Sequence, residues 1–332
     1  MGTFFRRIAY FVCVVSMLVA AFLPLTNTAY AEESQNKDFI RWVDNKVPYE
    51  ILRSAYEYDV KYHGSETVDF DFAKALACLA VKNGNKFQIK RDIKALSDLV
   101  LSLQKGKQID DYFGSNKYYK YYVEAYTAIF AQFIGDYVVE ETGEVGYGLK
   151  NYHPFPKGYW FNHADDFGNA RNYGFKRKHL GHDMYGSIGT PICAVEGGTI
   201  TELGWNRYGG WRIGIRSFDT KRSYYYAHLR KNKPYIEDLK KGDTVQAGQV
   251  IGYLGVTGYS YKENNNMSCP PHLHIGMQLI FDECQYQGPK EIWIDMYGIT
   301  KFLSHNRAEV HKQEKDYHAE NLRKTVNSEW NR

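Results

Sequence analysis

Apolar residues recur at three- and four-residue spacing through the first half of the chain, which is the period of a helix packed on one face. The pattern predicts helices over residues 49–62, up to Leu79, 88–103 and 118–139. Pro48 suits a first helical position, Asp69 or Asp71 can cap the second helix, and Asn83-Gly84-Asn85 closes it. After Gly143 the period shortens. Gly146, Gly148, Pro154 and Pro156 mark a linker, and short alternating or apolar runs follow between glycine turns. They cover residues 190–195, 198–203, 211–216, 224–228, 244–245, 250–254 and 272–280. The expected organisation is a small all-α domain over 32–142, a linker over 143–164 and a mainly β domain, an antiparallel sandwich or barrel, over 165–298. A charged helical tail is expected over 299–332.

The first 31 residues follow a different logic. Arg6 and Arg7 precede an uncharged apolar run over residues 8–25, and Ala29-Tyr30-Ala31 stands just before two glutamates. A charged start, an apolar middle and a small-x-small end describe a secretory signal with cleavage after Ala31. An uncleaved membrane anchor is the rival, since the run is only slightly shorter than the ~20 residues that span a bilayer. The rest of the chain is therefore expected outside the cytoplasm, secreted, with the membrane a partner only if the anchor stays.

Composition narrows the picture little. The formal net charge is +4 over 332 residues with no Lys/Arg-rich block, so nucleic-acid binding is not expected. Aromatics make up 16%, including 29 Tyr, which suits helix packing at a wet surface better than ligand stacking. Cys13 leaves with the signal. Cys78 and Cys193 lie in apolar patterns and read as buried hydrophobes. Cys269 and Cys284 flank one strand, and whether they bridge is open.

Five of the eleven histidines fall between His179 and His274. In His272-Leu273-His274 a strand would point both imidazoles to one face, because side chains alternate. In His179-Leu180-Gly181-His182-Asp183 an imidazole and a carboxylate four residues apart can converge, with Gly181 letting the backbone turn. Catalytic zinc takes three nitrogen or oxygen ligands and keeps one open position. His179, Asp183 and one histidine of the His-x-His pair make such a set; His182 competes, but it would face away in an extended segment. Tyr226-Ala227-His228-Leu229 ends an aromatic strand.

These three motifs, in this order, resemble those of the lysostaphin-type (LytM-like) zinc metallopeptidases. Gly189-Thr190-Pro191, Gly197-Gly198 and the run from Gly242 through Gly252 also resemble that family's turns, so the likeness covers about residues 165–280. It implies an antiparallel β-sandwich with one zinc ion held by His179, Asp183 and His274. It further implies His228 and His272 beside the metal, and hydrolysis of peptide bonds in peptidoglycan. The segment over residues 261–271 departs from the family's shorter path and is expected to border the groove.

A zinc ion would activate water. With no glutamate in the pattern, His272 is expected as the base and His228 as its electrostatic partner. The alternative is a catalytically silent or latent module that binds cell wall or a partner protein, with the helical region as a docking surface. Asn162, Asn169 and Asn172 precede the first ligand and are candidates to reach the metal in a latent form.

Overall fold

The computed structural model describes residues 39–172 and 176–326; the signal segment and Cys13 lie outside the described residues. Among the described residues no helix is long and apolar enough to cross a membrane.

Four helices open the chain: α1 (Tyr49–Tyr62), α2 (Phe72–Asn83), α3 (Ile89–Leu103) and α4 (Lys117–Phe130). Asp71 supplies the α2 cap, accepting the Lys74 backbone N–H at 2.7 Å, and Gly84 ends the helix in the left-handed region at φ 63°. The last helix stops earlier than its periodicity predicts. Residues 134–139 form strand β1 (Ile134–Val139), which pairs with β2 (Val145–Leu149). The β-branched Val138 and Val139 favour a pleated edge over another helical turn.

The β region carries β3 (Asn162–His163), β4 (Ala170–Arg171), β5 (Arg177–Lys178), β6 (His182–Tyr185), β7 (Pro191–Cys193), β8 (Gly198–Asn206), β9 (Gly210–Ser217) and β10 (Arg222–Ala227). It continues through β11 (Thr244–Val245), β12 (Val250–Tyr253), β13 (His272–Leu279) and β14 (Ile292–Ile294). The main sheet is antiparallel in the order β11-β8-β9-β10-β13-β6-β3, with β14 also on β13; β7 and β12 pair separately. The expected class, mainly antiparallel β behind a small helical region, is what the chain adopts.

Two expectations are corrected. The residues read as a linker are not one: 149–156 are all buried, and Tyr152, His153 and Pro154 hydrogen-bond across to Val195, Asn306 and Cys193. The tail is not a solvated helix. After α5 (Tyr297–Leu303), the chain forms the hairpin β15 (Glu309–Gln313) and β16 (Asp316–Glu320), and β17 (Arg323–Thr325) adds to β1. One charge in the tail is an anchor: the Asp316 carboxylate accepts from Tyr253 (2.6 Å), Lys233 (2.7 Å) and the Glu237 N–H (2.8 Å).

One buried apolar cluster runs from Ile51, Leu76 and Phe130 through Phe302 to Met184, Ile213 and Leu273. Arg222, fully buried at the start of β10, fastens its two halves. It donates to both Glu196 oxygens (2.7 and 2.9 Å), to Asp219 (2.6 Å) and to the Ala128 carbonyl in the last turn of α4 (2.6 Å). That carbonyl has no partner within its helix, so the guanidinium satisfies it. Tyr224 adds a hydroxyl to Glu196 at 2.7 Å.

Glu196→Gln leaves this buried cation under-compensated, and urea unfolding should show a loss of about 3–5 kcal/mol. A second prediction concerns pH. His153 is fully buried, and burial pushes its pKa down to about 3, whereas the unfolded ring titrates near 6.5. Its contribution is complete above pH 6.5 and drains away as pH falls towards 3. Between pH 7 and pH 5 the protein should lose about 2 kcal/mol more than His153→Phe does.

Candidate metal centre and groove

Strand β13 is hydrogen-bonded on both sides, and its register builds the centre. His274 lies opposite Asp183 of β6 and opposite Ala227 of β10, and His272 lies opposite Tyr185. Period-two alternation sends His272 and His274 to the groove face, while Leu273, Ile275 and Met277 are fully buried on the other. Asp183 shares the groove face. His182, its neighbour, turns the opposite way and is fully buried, as an extended segment requires.

His179 arrives from the segment before β6. Its backbone N–H donates to the Asn169 carbonyl (2.9 Å) and its carbonyl accepts from Gly168 (2.7 Å), so it lies against the strand that carries Arg171. Its Nε2 is 2.9 Å from His274 Nδ1 and 3.1 Å from Asp183 Oδ1; Asp183 Oδ1 is 3.0 Å from His274 Nδ1. Among the described residues this is the only group of three such donors that could hold a metal ion. Tetrahedral zinc with bonds of ~2.0–2.1 Å separates its ligands by about 3.3 Å, so two nitrogens and one carboxylate oxygen this close fit the ion.

Gly181 has a different role from the one the sequence suggested. Its φ is not in the left-handed region; instead, a Cβ there would stand 2.4 Å from His274 Nε2 and Cε1. The glycine admits the His274 ring.

The electrostatics are those of a compact cluster of partners. Burial raises the Asp183 carboxyl, but hydrogen bonds and charge from His179 and His274 outweigh it and hold the pKa far below the usual range. Burial lowers His179, yet Asp166 and Asp183 together lift it to about 9. Burial lowers His274, against the pull of Asp183.

Two further imidazoles flank the cluster. The His272 Nδ1 is 2.8 Å from the Pro270 carbonyl and the His228 Nδ1 is 2.8 Å from the Thr257 carbonyl. A carbonyl only accepts, so both Nδ1 atoms carry a proton, and a ring in its neutral form keeps its lone pair on Nε2. His272 Nε2 faces Asp183 Oδ1 at 4.0 Å, and the His228 ring lies 4.8 Å from that of His272. His228 sits at φ 63°, a conformation that costs a non-glycine residue, and its N–H is held by Gly209 at 2.8 Å. Burial, then the neighbouring His272 and His274, push its pKa down to about 3.

The cluster opens into a cavity of about 980 Å³, with Tyr225, Tyr259 and Trp293 among its walls. Met267, Ser268 and Cys269, from the segment the sequence marked as an insertion, line it. That segment is pinned by Asn264, whose Oδ1 accepts from Trp211 Nε1 and the Asn232 N–H, both at 2.9 Å. Cys78, Cys193, Cys269 and Cys284 are all free thiols, so Cys269 and Cys284 form no bridge.

Comparison with known proteins fits this geometry. The description "Peptidase family M23" matches residues 177–287. This chain carries a peptidase family M23 domain. The domain is 39% identical over 125 residues to the L-Ala–D-Glu endopeptidase of Bacillus subtilis, covering 37% of this chain and 36% of that protein. It is 42% identical over 98 residues to lysostaphin of Staphylococcus simulans, covering 29% and 17%. The chain thus spans about a third or less of these relatives' own lengths. A solved structure from Ruminococcus gnavus, described as a candidate glycyl-glycine endopeptidase lytM, shares the fold with a TM-score of 0.50 at 23% identity, over 79% of this chain and 92% of that one.

Residues ahead of the M23 match also reach the site. Asp166 and Arg171, which belong to no motif in the sequence, contact His179 and Asp183 directly. The asparagines considered there do not take that place: Asn162 pairs with Tyr185 at the sheet edge, Asn169 serves His179 through its carbonyl, and Asn172 is exposed. Gly181→Ala should displace His274 and weaken zinc uptake by tenfold or more in a chelator competition, with the far-UV spectrum unchanged.

Proposed function

We propose that this protein is a secreted, zinc-dependent endopeptidase that hydrolyses peptide bonds in bacterial peptidoglycan. The observation that carries the reading is the triangle of His179, Asp183 and His274 donors at the floor of a groove, flanked by two imidazoles with free Nε2 atoms. Named relatives act on L-Ala–D-Glu and on glycyl-glycine bonds, and one, from Vibrio cholerae, is a peptidoglycan DD-endopeptidase, which points to a wall peptide as substrate.

His179, Asp183 and His274 would hold the zinc ion. When bound, the ion supplies Lewis acidity, which brings the pKa of water to about 7 and polarises a carbonyl. The chain's own groups do the rest. His272, its ring fixed by Pro270, accepts the proton of the attacking water on Nε2 and hands it to the leaving amine. His228 is neutral at rest because it is buried; a proton taken up from solvent on Nε2 as the substrate binds, and returned to solvent as the products leave, would let it donate to the developing oxyanion. The cavity walls hold an extended peptide against these groups and limit access of bulk water. The helical region over 32–142 serves as a positioning or partner-docking module, and the segment over 1–31 directs export.

The chain from Glu32 onward would be incubated with purified glycine-bridged and directly cross-linked peptidoglycan, and the fragments read by mass spectrometry. New amine and carboxylate ends should appear, should vanish with His274→Ala or a chelator, and should return when zinc is restored to the native protein. His272→Ala should lower kcat by ~10²-fold or more while zinc stays bound. Bound zinc with no cleavage of either wall would overturn the enzyme reading and leave a silent wall-binding module.

A further inference from the structure

The carboxylate of Asp166 stands behind the metal cluster and touches two rings at once. Its Oδ2 is 2.9 Å from His179 Nδ1, and its Oδ1 is 3.1 Å from His182 Nδ1. The Asp166 backbone carbonyl is a further acceptor 3.1 Å from the same His179 nitrogen. Arg171 Nη2 also stands 3.0 Å from that nitrogen, but its two N–H protons go to Asp166 Oδ2 and Asp183 Oδ2. The two acceptors therefore place a proton on Nδ1, which leaves Nε2 as the atom that can offer a lone pair to a cation. That Nε2 is the atom aimed at Asp183 and His274.

Arg171 completes the arrangement. Its Nη2 donates to Asp166 Oδ2 at 2.8 Å and to Asp183 Oδ2 at 3.2 Å. The oxygen of Asp183 that Arg171 takes is not the one that faces the histidines, which is Oδ1. The guanidinium therefore commits one carboxylate oxygen and leaves the other for the cation. It also offsets one of the two negative charges packed here.

We infer that Asp166 and Arg171 are positioning residues of the metal centre, setting the tautomer and angle of His179 and the single-oxygen presentation of Asp183. Both lie ahead of residue 177, where the M23 match begins. The inference rests on His179, Asp183 and His274 being the ligands. The network does not stop at Asp166: His182 Nε2 is 2.7 Å from His163 Nδ1, and the His163 ring lies 5.1 Å from that of Tyr297 in α5. Asp166 is thereby held from behind by the fully buried His182 and the half-buried His163, which makes it a rigid support.

The test measures zinc affinity of the full chain by chelator competition and records the visible spectrum of the cobalt(II)-loaded protein, with melting of the metal-free form as the folding control. Partners of this kind are typically worth ~10- to 100-fold in metal affinity, so Asp166→Ala should weaken zinc by that factor and alter the cobalt bands. Arg171→Gln should weaken zinc by about tenfold, and Arg171→Lys should recover part of the loss. If Asp166→Ala does not fold, Asp166→Asn keeps the shape and should still weaken zinc and change the cobalt spectrum. Zinc affinity within twofold of the parent, with unchanged cobalt bands, in the folded Asp166 and Arg171 variants would overturn the inference. If the parent binds zinc no better than His274→Ala does, the ligand set itself fails, and this inference with it.

Discussion

Everything at this site depends on strand β13 being paired on both edges. Pairing with β6 and β10 sets the register that puts His274 beside Asp183, and a slip of one residue would exchange the core face for the groove face. That slip would bring Leu273 and Ile275 into water and drive both histidines into the apolar interior. The apolar face of the strand, fully buried at Leu273, Ile275 and Met277, therefore holds the site in place, because the placing of His272 and His274 and the stability of the core are fixed by one alternation. Gly276 belongs to the same constraint: a Cβ there would stand 2.7 Å from the Trp293 ring, so the strand can lie against β14 only without a side chain.

Around that strand the supports become less local. Asp183 is set by its own pairing, but His179 precedes β6 and takes its orientation from Asp166 and from the backbone at 168–169. Those groups lean in turn on His182 and His163, and through them on α5, which packs against α1. On the far side, Arg222 and Glu196 bind β10 to the end of α4. The helices are thus part of the frame that holds the sheet, joined to it by one apolar cluster and one buried ion pair.

How much of this was legible in the sequence follows from range and period. His272-Leu273-His274 declares itself because two residues at period two must share a face, and His179-x-x-x-Asp183 because the separation is short. The turn glycines and the helical stripes are equally local signals. Asp166 and Arg171 gave no such signal: their partners lie 13 and 12 positions away, across a bend, and a lone acid or arginine there reads as solvated surface. The tail failed for the same reason, since Asp316 looks like any charge until Tyr253 and Lys233 are folded against it. The supposed linker misled in the opposite sense. Glycine and proline mark turns, and such a cluster between two patterns reads as a linker, yet Pro154 and Pro156 are buried in a well-bonded crossing.

The folding unit is therefore larger than the stretch that sequence comparison picks out. The match to family M23 ends at residue 287, yet β14 at 292–294 pairs with the strand that bears the histidines. It begins at 177, which leaves β3, Asp166 and Arg171 outside. A protein cut to residues 177–287 would keep His179, Asp183, His274 and both flanking histidines but expose the edge of β13 at 277–279 and the apolar face that Met296, Ile299 and Phe302 cover. Burial of each such side chain is worth about 1.5–3 kcal/mol, so those three alone approach the whole stability margin of an ordinary domain. The histidines and the aspartate of the site sit within about a hundred residues; the frame that holds them in place comes from the chain on either side.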